Sequence, residues 1–152
     1  MQTVHVENLE KLAIELFKKF ARMEYALKAA GFHNGEGRAE PNWDKFACTI
    51  QGQLEHDSVI AEAVKYMKEQ PPKKQVVRDG LLEWEVAKPS ASETHELLLC
   101  VRRVRNNLFH GGKFNGHWFA PERSETLLRN SLSILDACLR LSSELNEAFH
   151  SQ

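Results

Sequence analysis

The chain has 152 residues, 42% of them hydrophobic and 27% charged, and a formal net charge of −1. That length suits one domain with a real core and is short for two, and the composition excludes disordered and fibrous classes. No run approaches the roughly 20 apolar residues of a membrane helix, and MQTVHVENLE lacks the layout of a signal peptide, so a cytoplasmic protein with no membrane partner is expected.

In chain order, Leu9, Leu12, Leu16, Phe20, Met23, Leu27 and Ala30 recur at steps of three and four, which predicts a helix from about Val6 to Ala30, stopped by Gly31. GFHNGEGRAEP reads as a polar connection, and Pro41 is expected to open a second, short helix that turns Trp43, Phe46, Ala47 and Ile50 inward before Gly52. A third helix over about Leu54 to Glu69 would gather Val59, Ile60, Ala63, Val64 and Met67 and stop before Pro71 and Pro72. Residues 71–92 fit no regular pattern. Asp79-Gly80 between two apolar runs permits a small hairpin, and an irregular crossover loop is equally open.

Ser90 with Glu93 matches a capping box for a fourth helix, on which Leu97, Leu98, Val101, Val104 and Leu108 form the inner face and Gly111-Gly112 the stop near His110. Pro121 opens a last helix, with Leu128, Leu132, Leu135, Leu139, Ser142, Leu145 and Phe149 at helical spacing to the chain end. The expected fold is thus all-α, a single-domain bundle of four to five helices spanning residues 1–152. The three cysteines, Cys48, Cys100 and Cys138, lack C-x-x-C spacing and read as buried thiols, and no metal-ligand spacing or cofactor motif is present.

Charge is unevenly placed. Residues 97–120 carry Arg102, Arg103, Arg105 and Lys113 and no acid, which leaves about −5 on the rest of the chain. At the end of the fourth helix Asn106 and His110 share a face, Arg103 lies near it, and Arg105 sits one step aside. An imidazole that titrates near neutrality moves protons, and a guanidinium holds phosphate oxygens and offsets charge developing on phosphorus. RNA brings its own nucleophile in the 2′-hydroxyl, so such a group could cut it by in-line transfer to a 2′,3′-cyclic phosphate without a metal. The plainer reading is helix capping, which accounts for Gly111, Gly112 and part of His110.

RNNLFHGGK resembles the R-x4-6-H motif of HEPN domains, all-α proteins of bacterial toxin and antiphage systems and of eukaryotic RNA processing. Arg105 is followed by the preferred Asn106, HGGK continues the form of one bacterial subgroup, and EYALKAAGF (Glu24 to Phe32) is similar to that subgroup's first helix. The resemblance implies a HEPN-like fold, a metal-independent ribonuclease activity, Arg105 and His110 as catalytic pair with Asn106 assisting, and a homodimer with one composite site. It also implies, for a toxin, an antitoxin partner of nucleotidyltransferase type. Arg102, Arg103 and Lys113 would then bind RNA phosphates, while Glu24 and His117 are candidates to support the site. Phe109, Phe114, Trp118 and Phe119 read as packing or dimer contacts, with base stacking as the functional alternative. A non-catalytic HEPN module binding RNA, a nucleotide or a partner protein is the competing reading, and a plain helical scaffold the third.

Overall fold

The computed structural model describes residues 2–90, 92–111 and 121–151. It is mostly helical: α1 (Gln2–Ala29), α2 (Trp43–Thr49), α3 (Ala61–Glu69), a hairpin of β1 (Lys74–Arg78) and β2 (Leu81–Glu85), α4 (Glu93–Phe109), α5 (Pro121–Leu141) and α6 (Ser143–His150). No helix among the described residues is long and apolar enough to cross a membrane.

The periodic leucines of α1 are buried as expected, and α1 packs along α5 with α6 and α4 beside it. Polar ties fix that packing: Asn8 Nδ2 donates to Glu125 Oε1 at 2.8 Å, and Lys19 pairs with Asp136. α4 lies on α5, α2 and α3, with Leu97, Leu98, Cys100, Val101 and Val104 in the core.

Four boundaries differ from the sequence expectation, each for a local reason. Asn42, not Pro41, starts α2, because its Oδ1 accepts Lys45 N–H at 2.8 Å, whereas Pro41 bridges back to His33. The stretch before α3 winds as two short 3-10 turns, Leu54–His56 and Ser58–Ile60, divided by Asp57, whose side chain accepts Val59 N–H. That tighter winding turns Val59 out to solvent, so it is not a core residue. Ser92 rather than Ser90 caps α4, and the acid that reaches back is Glu96, whose Oε2 accepts Ser90 N–H at 2.7 Å. Finally, the expected last helix is broken at Ser142, whose Oγ accepts Leu145 N–H, so it becomes two helices, and the described residues form six α-helices.

The open segment forms the hairpin, in register Lys74↔Glu85 to Arg78↔Leu81. Its turn residues Asp79 and Gly80 both have positive φ, 50° and 78°, the backbone of a type I′ turn. Arg123 of α5 fixes the approach to it, donating to Tyr66 Oη, Gln70 O and Pro71 O. Of the cysteines, Cys100 and Cys138 are buried as expected and Cys48 is exposed, its Sγ 3.9 Å from His95 Nε2, because it stands on the side of α2 away from the buried Trp43, Phe46 and Ala47.

Candidate functional site at the end of the fourth helix

α4 ends where backbone geometry requires. His110 N–H still bonds Asn106 O, Gly111 N–H bonds Leu108 O, and Gly111 takes φ 79°, a conformation that glycine adopts without a Cβ clash. Since Val101 and Val104 are locked in the core, the outward face of the last turns carries Arg102, Asn106 and His110.

Arg105 is held on three sides. Its guanidinium lies 5.2 Å from the Phe20 ring centroid and 4.6 Å from that of Phe109, and Nη1 donates to Asn106 Oδ1 at 2.9 Å. Phe109 is itself stacked parallel to Phe17 of α1 at 6.5 Å. The rings favour a cation over their faces and fix its plane, so ordering this long side chain costs little further entropy when a ligand arrives. With Oδ1 of Asn106 occupied by Arg105, its Nδ2 is left to donate outward. His110 is exposed, edge-on to the Phe109 ring at 5.7 Å, and its ring nitrogens make no hydrogen bond among the described residues. An imidazole, an amide N–H2 and a guanidinium with Nη2 uncommitted among the described residues thus stand within the last turns of one helix, Arg105 bonded to Asn106 and both Arg105 and His110 against the Phe109 ring.

The supporting residues divide. Arg103 is spent on structure: Nη1 pairs with Glu96 Oε1 at 2.8 Å with both side chains largely buried, 15% and 19% exposed, so it is a poor phosphate ligand. Arg102 is half-buried, with no ion pair among the described residues. Glu24 does not orient Arg105 or His110; its Oε2 accepts Trp43 Nε1–H at 2.9 Å, satisfying an indole that packs on Phe20 at 5.3 Å. It acts one layer behind the site, since Phe20 is the ring that Arg105 covers. Lys113, His117, Phe114, Trp118, Phe119 and Gly112 lie outside the described residues.

Two contributors escape sequence reasoning. Phe20 reads there as core, and its second role depends on α1 and α4 meeting. Asn107 donates from Nδ2 to Lys73 O at 2.8 Å, which ties the root of the hairpin to the helix end. A doubled Asn in the motif is the one signal that could have pointed to it. Away from the helix end, burial pushes the thiols of both Cys100 and Cys138 up to about 12. No three of His, Cys, Asp and Glu gather as a metal site among the described residues. No protein-family model matches the chain, and no curated protein and no solved structure matches it.

Proposed function

We propose that this protein is a metal-independent endoribonuclease of the HEPN type, acting on single-stranded or loop RNA as a homodimer, with Arg105, Asn106 and His110 of two copies forming one composite site. The observation that carries the reading is the fixed guanidinium of Arg105, clamped by Phe20, Phe109 and Asn106 beside an exposed, uncommitted His110.

In this reaction the 2′-hydroxyl oxygen of RNA attacks the adjacent phosphorus while its proton passes to a neutral imidazole. The P–O5′ bond breaks, O5′ takes a proton from an imidazolium, and the products are a 2′,3′-cyclic phosphate and a 5′-hydroxyl. One His110 serves as base and the other copy's as acid, which is the reason for two copies. Arg105 and the Asn106 amide bond the non-bridging oxygens as negative charge builds on them. The exposed rings of Phe17 and Phe109, 56% and 59% open, offer an apolar surface at the site's edge for the second copy. A cytoplasmic place and a toxin or antiphage role with a nucleotidyltransferase-type antitoxin go with the same family reading.

The non-catalytic module has one observation in its favour: Arg103 is neutralised by Glu96, which thins the basic field that RNA would meet. Incubating pure protein with single-stranded RNA in EDTA decides between them. Cleavage to cyclic-phosphate ends, abolished when the RNA is 2′-O-methylated, is expected; binding without cleavage would favour the module.

A further inference from the structure

Two apolar surfaces flank the site, on opposite sides of α4. At 100° per residue, Asn107 and Phe109 project about 160° apart around the helix, with Asn106 and His110 between them. Phe109 meets Phe17 of α1, and Asn107 holds the hairpin root at Lys73, so α1 lies to one side of His110 and the ribbon to the other.

On α1, Ile14, Phe17, Ala21 and Tyr25 follow one another at steps of three and four, all exposed, on the face opposite the buried leucines. On the ribbon, the register gathers Gln75, Val77, Leu82 and Trp84 on one face, and Val86 continues the alternation. Val77, Leu82 and Val86 are 68%, 69% and 66% exposed. The charges sit on the other face, where Lys74 and Arg78 both pair with Glu85. A two-stranded ribbon is marginal alone in water, and here Val77, Leu82 and Val86 stay open to solvent.

These features favour a second copy of this chain as the occupant. Among the described residues, the strand positions of this face carry no charge and Lys73 sits only at its root across from Val86, so the strand faces of two copies can lie on each other with no like charges opposed, whereas RNA would find little positive charge there. The α1 stripe alone, about 17 Å of helix, falls short of the roughly 800 Å² per partner of a stable interface, and the ribbon supplies a further apolar area. We infer that the hairpin is the second half of an isologous interface between two copies, the α1 stripe being the first, with the C-terminal end of α4 enclosed between them. The inference rests on the reading that two copies share one site, and it makes the hairpin the element that brings the two His110 side chains together.

Sedimentation equilibrium of the full chain tests it. The wild type is expected to be a dimer at micromolar concentration. The double variant Val77→Glu/Leu82→Glu should raise the dissociation constant by about 100-fold or more, and Phe17→Glu should weaken it too. Val59→Glu, at an exposed position outside both surfaces, should leave it unchanged. Circular dichroism should show the bundle intact in every case, since these side chains lie outside the core. A monomeric wild type, or a double variant that dimerises as well as the wild type, would overturn the inference. RNA cleavage read on the same samples keeps the two claims apart: a ribbon-dependent dimer that cuts no RNA sinks the ribonuclease reading alone, and full cleavage by a monomeric double variant sinks the composite site of two copies and leaves the interface standing.

Discussion

Arg105 is the residue on which the site depends, and its clamp distinguishes it from an ordinary surface arginine. Arg105→Lys keeps the charge but loses the planar fork that spans two rings and an amide, so a cleavage loss approaching that of Arg105→Ala, about 100-fold or more, is expected in single-turnover assays. The melting temperature should fall only slightly, because the cation–ring contacts of an accessible guanidinium contribute about 0.5–1 kcal/mol. Glu96 is the opposite case. Removing its carboxylate strands the largely buried Arg103 and leaves Ser90 N–H without its acceptor, so Glu96→Ala should cost about 2 kcal/mol in thermal or urea denaturation. At this scale the motif Arg105, Asn106 and His110 was legible, since all three stand within two helical turns and their chemistry is local. The partners were not: Phe20 meets Arg105, and Trp43 meets Glu24, only after distant segments pack, and an acid on the edge of an apolar stripe gives no hint of which donor it serves.

Among the elements, α1 and the body of α4 could be read directly because an unbroken 3.6-residue pattern leaves one face to bury. The pattern failed where a single side chain overrides it. Leu139, Ser142 and Leu145 keep helical spacing across a break that Ser142 itself makes by capping α6. Ser142→Ala should therefore destabilise the protein by about 1 kcal/mol, measured by thermal denaturation, whereas a serine on a continuous helix would gain slightly on changing to alanine. Likewise Asn42 and Asp57 reset the starts of α2 and of the second 3-10 turn by accepting backbone N–H groups, which hydrophobic spacing alone does not register. The hairpin stayed open between two readings because its residues are exposed on both faces, and only the Asp79-Gly80 turn signalled it.

For the whole molecule, the cysteines give a pH-dependence. The thiols of Cys100 and Cys138 are pushed up to about 12, mainly by burial, so the folded state holds protons that the unfolded chain releases near pH 8.5. Their contribution is complete below that pH and is lost as pH rises toward 12, with stability falling by about 1.4 kcal/mol per pH unit for each thiol in that window. Urea denaturation between pH 7 and 11 checks this, and Cys138→Ala should reduce the slope by one proton. At pH 8, one thiol, Cys48, should be alkylated in the folded protein and the other two only after unfolding. The central claim is nevertheless the chemistry at the end of α4, reached by the single-turnover rate of RNA cleavage in EDTA for the wild type and His110→Ala. Cleavage by the wild type and a loss of 10²- to 10⁴-fold in the variant, with an unchanged melting temperature, are expected. Equal rates in the two proteins, or no cleavage of RNA by a correctly folded wild type, would contradict the account.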